Sequence, residues 1–422
     1  MRQLYRVLFF VFLFVFYWFF SFTKVPFGDA LGFVNMAELN EYTNNTTVFG
    51  KFLYTNFLIG FKTVFGLDSI PATRFFNLIF SVLTLIVLFF GLKLKFKKEL
   101  LAYLGTLIFA FSFTFWKQTE IIEVYTFNSF WIALYVYLTI RFLENRNPRF
   151  LFVSSLILGL SLFAHVQNIM LIPGWMILCF ISFKNYKVNI LPSVFVFFAF
   201  AFGLYFLAYI NDYETSHVFG SGNSDWVTGS FEKGISGFSK DIAVAIGYLI
   251  YNFWIFIIPA IIVIFKKIKA FRDSQNLFYL VSFLVPFVFA TIYNVSDSYV
   301  FFLNAYLFFI FFIIEGLIDI KVSNPKIYKT ISFSVFCVPL FYLLSFFIVS
   351  KTPQGQNFDK EKSEKGGLSY YLFPWMRNNV GVLEFYLDGK KPFDDKDFMN
   401  INCHIFLKHR KGKNSLEEIR KM

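Results

Sequence analysis

Long apolar runs broken by short polar links dominate the chain from Leu4 to Ser350. A helix needs about 20 mostly apolar residues to cross ~30 Å of hydrocarbon. Eleven runs approach that length: 4–22, 73–92, 100–116, 125–142, 150–164, 167–183, 188–210, 242–265, 277–293, 299–319 and 330–350. They predict an all-α fold, a polytopic membrane bundle of about eleven transmembrane helices over 1–350, followed by a short tail over 351–422. The first run follows Arg2 and Arg6 as a signal peptide would, yet it is long and no small-x-small cleavage site follows it. It therefore reads as an uncleaved first span.

The polar links sort into two sets when taken alternately. One set is short and rich in Lys and Arg: KLKFKK (93–98), RFLENRNPR (141–149), FKNYK (183–187), KKIKAFR (266–272) and KVSNPKIYK (321–329). The other holds 23–72, KQTEIIEV (117–124), HVQN (165–168), 211–241 and YNVSDS (293–298), all poor in Lys and Arg for their length. Short basic loops stay in the cytoplasm. The amino terminus is thus expected inside, and with eleven spans the tail is expected outside. Most acids before the tail, with His165 and His217, fall on the outer side. In the long first outer loop, KFLYTNFLIGFKTVFG (51–66) is amphipathic and too short and interrupted to span comfortably. It is expected to lie along the interface or to pack on the bundle as a buried loop helix, and the two readings are compatible. The 211–241 link contains GSGNSDWVTGSFEKG and reads as a mobile segment. The tail mixes charges with Tyr370, Tyr371, Phe373, Trp375, Val382, Leu383, Phe385 and Tyr386. It can pack on the outer face but is short for an independent domain.

Composition agrees with the pattern. The 422 residues are 57% hydrophobic and 16% charged, where soluble domains run near half and a quarter. The formal net charge of +12 resides largely in the inner loops and the tail, so no nucleic-acid partner is inferred from it. The 67 Phe fit an AT-rich coding sequence and carry no functional reading. Cys179, Cys337 and Cys403 are scattered, with no CxxC or Cys/His cluster. Neither a disulfide framework nor a zinc site is indicated.

Four outer links carry candidate chemistry, and each has a plainer alternative. Asp29, on a Pro/Gly turn after the first span, can take a proton from an acceptor or hold a metal; it can equally be a loop acid or helix cap. Glu38 and Glu41 follow it. In FWKQTEIIEVYTFNSFW (115–131), Glu120 reads as an interfacial acid and Trp116 as part of an aromatic belt. Glu123 is different, because Glu123, Tyr125, Thr126 and Asn128 begin an otherwise apolar run. His165, Gln167 and Asn168 lie in a link too short to leave the membrane surface, and a lone histidine is more often structural than a ligand. Asp297 stands at the mouth of a span with Asn304 inside it, where Ser296 or Asp297 can serve as a cap. The sequons at Asn44, Asn45 and Asn294 are best explained by chance in an Asn-rich chain. Mid-span positions are almost free of charge, with Glu315 as the main exception. An ion-coupled transporter places its ionisable groups near the midplane. A polar layer at the outer rim suits an enzyme joining a lipid-borne substrate to an external acceptor.

In this order the residues resemble the GT-C superfamily of polytopic glycosyltransferases, and within it the O-mannosyltransferase-like family of bacterial membrane proteins and their animal relatives. Gly28-Asp29 is similar to the Gly-Asp that follows that family's first span. Phe113, Phe115, Trp116, Glu123, Val124, Tyr125, Thr126 and Asn128 match a segment of the type Phe-x-Phe-Trp-x(6)-Glu-Val-Tyr-Ser/Thr-Leu-Asn, with Phe127 at the Leu position. Gly159-Leu160-Ser161-Leu162, His165 and Pro173, then Asp225-Trp226, then Asn294 to Leu303 with Asp297, continue the likeness to about residue 320. The family's His-Pro-Pro-Gly-Tyr-Pro-like turn is absent here, and the next acid after Asp29 is Glu38. The resemblance implies a polyprenyl-phosphate sugar donor, of mannose or a similar hexose, and a protein, glycan or lipid acceptor. It implies an integral, multi-pass protein such as one of a bacterial inner membrane. It implies Asp29 as catalytic base and Glu38, Trp116, Glu123, Tyr125, Asn128, His165 and Asp297 as substrate-binding residues. A protonated His165 would be the phosphate partner. Some GT-C enzymes use a divalent cation and others do not, so the metal stays open. A non-catalytic flippase or transporter of lipid-linked sugars is the alternative.

Overall fold

A computed structural model of the chain describes residues 2–218, 234–270, 273–293, 297–389 and 397–422. The predicted runs fall on helices, and no strand occurs among the described residues. After α1 (Arg2–Phe20), the first outer loop holds α2 (Ala30–Leu39) and α3 (Phe52–Phe65). Then come α4 (Ser69–Phe96), α5 (Glu99–Ala110), α6 (Phe113–Thr119), α7 (Tyr125–Asn145), α8 (Pro148–Ala164), α9 (Ile172–Tyr186) and α10 (Leu191–Ile210). Later helices cover Gly234–Phe253, Ile257–Lys269, Ser274–Ile292, Leu303–Ser323, Pro325–Phe333 and Val338–Ser350. Several starts are written locally. Asn147, Asp273 and Asn324 each accept a backbone N–H at a helix N-terminus, with Pro148 and Pro325 at the first helical positions.

Among the described residues, eight helical stretches are long and apolar enough to cross a membrane, or nine if the α5–α6 pair is one span. The expected eleven are therefore not all met. α8 has 17 residues, about 25 Å at 1.5 Å per residue. α7 is long enough, but Thr126, Asn128, Ser129, Thr139, Arg141 and Glu144 dilute its apolar character. The run expected over 100–116 is bent by 71° between α5 and α6.

Leu303–Ser323 is the central helix, packed by α5, α7, Ile257–Lys269 and Ser274–Ile292, and buried continuously from Leu303 to Ile314. Small residues set such approaches where lipid supplies no hydrophobic drive between helices. A Cβ on Gly316 would stand 2.2 Å from the Pro259 carbonyl oxygen. Around the centre, α4, α7, α8 and α10 pack in succession.

The two link sets sit at opposite ends. At the basic end, Arg6 and Lys93 pair with Glu99, Lys97 with Glu144, and Lys266 with Asp319. At the other end lie the first outer loop, the α6–α7 link and the tail. Of the two plain readings left open for Asp29, the helix head is the one met: α2 starts at Ala30, because Ala30, Leu31, Phe33, Val34 and Ala37 are all buried. α3 buries Tyr54, Leu58 and Ile59 and exposes Phe57, Val64 and Phe65, the two faces expected of an interfacial helix. The tail is stitched to this loop. Val25 N–H donates to the Met422 carbonyl at 2.6 Å and Val382 N–H to the Val25 carbonyl at 2.9 Å. Asn35 donates to the Asn402 carbonyl and side chain, both at 2.9 Å. The Lys117 ammonium donates to the Tyr370 and Phe373 carbonyls at 2.6 and 3.2 Å.

Candidate active site

Gly28 turns the chain into α2 with φ +96°, a left-handed backbone that favours glycine. It puts Asp29 at the head of α2, exposed, with no capping hydrogen bond from its side chain. The same turn brings in the α6–α7 link, since a Cβ on Gly28 would lie 3.9 Å from Glu123 Oε1. Asp297 heads the short 3-10 turn Ser298–Phe302. Lys51 stands just before α3 with φ 44°. These four form one electrostatic group. Burial pushes the Glu123 carboxyl well above the usual range, and the Asp29 and Asp297 carboxylates push it further, with Lys51 opposing. Burial lowers Lys51, and Glu123, Asp29 and Asp297 hold it up.

Lys51 and His165 also line a small recess with Thr46, Thr47 and Phe52. His165 is buried. Its Nδ1 accepts the Gln167 N–H at 3.2 Å, which leaves its proton on Nε2. Burial, then Lys51, drives its pKa well below the ordinary histidine value. His165 is thus held toward neutral imidazole, which weighs against the phosphate role that a protonated His165 would take, and Lys51 is the basic group beside it. Sequence reasoning missed Lys51, which there is only the first letter of an amphipathic piece. The available signal was a lysine in a loop poor in basic residues.

Tyr125 does join the group, with its ring 5.5 Å from that of His165. Three other candidates lie elsewhere. Trp116 is fully buried among Phe16, Phe20, Tyr342 and Trp375. Its Nε1–H donates to Glu120 at 3.1 Å. Glu120 is itself wholly buried, not an interfacial acid, because the α5–α6 bend turns this segment into the bundle. Glu38 is nine residues beyond Asp29, about 13 Å along α2. There it takes the Arg410 guanidinium at 2.5 Å, with His409 and Lys413 nearby. Asn128 is buried in an amide network with Asn168 and Asn304. Asp225 and Trp226, with the rest of 219–233, and Asn294 and Ser296 lie outside the described residues. Among the described residues, no group of three or more His, Cys, Asp or Glu side chains is arranged to hold a metal ion.

Residues 70–189 match the family described as "Protein O-mannosyl-transferase TMEM260 N-terminal domain". None of the curated proteins matches the chain. Among solved structures, ArnT from Cupriavidus metallidurans bound to undecaprenyl phosphate aligns with a TM-score of 0.56 at 10% identity, covering 100% of this chain and 77% of that one. The apo state of that protein gives the same TM-score and identity over 100% and 76%. The Archaeoglobus fulgidus oligosaccharyltransferase aligns at 0.48 and 12% identity over 81% and 53%. The chain therefore carries an ArnT-like GT-C fold over its whole length, and residues 70–189 are similar to the N-terminal domain of an O-mannosyl-transferase family.

Proposed function

We propose that the chain is a glycosyltransferase moving a hexose, mannose or a close relative, from a polyprenyl-phosphate donor to an acceptor hydroxyl on the extracytoplasmic face. The observation that carries the reading is the grouping of Asp29, Glu123, Asp297 and Lys51 at the end of the bundle away from the basic loops. Undecaprenyl phosphate bound to ArnT supports a lipid phosphate as the donor's carrier. Asp29 is exposed and uncommitted, as a base for an incoming acceptor must be. It takes the hydroxyl proton as the acceptor oxygen bonds to the anomeric carbon. The bond from that carbon to the phosphate oxygen breaks, and its electron pair leaves with the lipid phosphate, inverting the centre. Lys51 faces the charge that grows on the phosphate. Glu123, held toward its protonated form, and Asp297 bind sugar hydroxyls. The acceptor is a protein, a glycan or a lipid.

Asp29→Asn tests the reading. The variant is expected to bind undecaprenyl phosphate as the parent does and to transfer sugar at least about a hundredfold more slowly. Transfer at the parent rate removes Asp29 as the base. A flippase, which transfers no sugar, would instead be most sensitive to changes within the spans.

A further inference from the structure

Asn128, Asn168 and Asn304 belong to three separate segments: α7, the 3-10 turn Val166–Leu171 and Leu303–Ser323. Their side chains close a ring. Asn128 Nδ2 donates to Asn304 Oδ1 at 3.3 Å, Asn304 Nδ2 to Asn168 Oδ1 at 2.8 Å, and Asn168 Nδ2 to Asn128 Oδ1 at 2.7 Å. All three residues are 2% exposed or less. Asn168 also donates to the Ser161 carbonyl at 2.9 Å.

Each asparagine stands three residues after an aromatic ring of the candidate site: Tyr125, His165 and Phe301. Those rings meet one another too, with centroids 5.5 Å apart for Tyr125–His165, 5.9 Å for Tyr125–Phe301 and 6.0 Å for His165–Phe301. A triangle of amides thus lies about one helical turn from a triangle of rings, joined by the same three segments. Gln167 reinforces the join, since its side-chain amide donates to the Phe301 carbonyl while its backbone N–H holds His165 Nδ1.

Three amides buried among apolar helices are costly unless each is partnered. A ring satisfies them only when all three segments are in register together. Apolar packing tolerates a slipped helix; a one-residue slip here turns an amide by about 100° and breaks two of the three bonds. We propose that Asn128, Asn168 and Asn304 are positioning residues, whose closed amide ring sets the register that holds Tyr125, His165 and Phe301 as one unit beside the Asp29, Glu123 and Asp297 carboxylates. The role in transfer rests on the functional reading above; the register lock does not.

The test uses full-length protein in lipid nanodiscs, labelled with ¹⁵N-histidine, with His165→Gln to identify its resonance. The parent is expected to show a fixed Nε2–H tautomer at His165. Asn128→Leu, Asn168→Leu and Asn304→Leu are each expected to replace it by an averaged signal. Asn128→Asp, whose buried neutral acid can still donate to Asn304 and accept from Asn168, keeps the parent signal. With an undecaprenyl-phosphate hexose donor, each leucine variant lowers kcat about tenfold or more and leaves KM for donor within about twofold. Leucine variants that melt earlier but keep the parent His165 signal overturn the proposal, since the ring is then only a staple. Where a leucine variant fails to fold, Asn128→Ser replaces it, and an unchanged resonance there overturns the proposal as well. If parent and variants all lack transfer while the His165 signal still shifts, the functional reading fails and the register lock stands.

Discussion

At the scale of single residues, the site turns on how one cation is shared among three carboxylates. Glu123 has a raised pKa in the folded chain, so the stability linked to its protonation is present at low pH and lost as pH rises through the folded value. Glu123→Gln is expected to melt with the parent near pH 5 and above it near pH 8; thermal unfolding in nanodiscs at both pH values checks this, and parallel curves would contradict it. Lys51→Gln leaves the carboxylates unopposed. It is expected to weaken undecaprenyl phosphate binding by about tenfold or more, measured by titration in nanodiscs. Much of this is legible in the letters: Asp29, Glu123, Tyr125, His165 and Asp297 stand out there, and the structure groups them. Lys51 does not, because a single lysine in an amphipathic stretch has no periodicity to mark it. Trp116 and Asn128 were misplaced for a related reason. Spacing along the chain tells which residues share a segment, while the α5–α6 bend and the amide ring depend on segments far apart in sequence.

At the scale of elements, α2 is the support on which Asp29 stands, and its other end is anchored by the tail. Arg410 is nearly buried and its Nη2 reaches Glu38 and Asp68, each at 2.5 Å, and Ser69 at 3.2 Å. Removing one partner of a buried ion pair strands the other, a cost of about 3 kcal/mol. Arg410→Ala is thus expected to lower the melting temperature clearly. Glu38→Gln is expected to cost less, since Arg410 keeps Asp68. A comparison of the two melts decides it. α2 was one of two readings open in the letters, where Asp29 is a loop acid or a helix cap; Pro26 and Gly28 punctuate the stretch just before it, and only the packing of Phe33 and Val34 decides for the helix. The helices of the bundle were the easiest features to read, since apolar length is nearly sufficient to define them. α7 and α8 escape that rule in opposite ways, one by its polar side chains and one by its shortness.

At the scale of the whole molecule, charge asymmetry and structure agree on which links share an end. Single cysteines placed at 29, 123 and 297, in a background with Cys179, Cys337 and Cys403 replaced, are expected to react with an impermeant reagent from the extracytoplasmic side. Cysteines at 97, 184 and 266 are expected to react only from the cytoplasm. Labelling of 29, 123 or 297 from the cytoplasm alone would place the site on the wrong face.

The stitching of the tail to the first outer loop also sets an order in time. Asn35 waits for Asn402, a separation of 367 residues, and Glu38 for Arg410, 372 residues on. At roughly 10 residues per second of synthesis, several tens of seconds separate the emergence of the two sides. A nascent chain therefore holds Asp29 on a helix packed by α3 and α4 but not yet by the tail throughout insertion of the bundle. A ribosome-bound chain stalled before residue 398 lacks both contacts, so the tail's hold on α2 is among the last contacts of the fold to form.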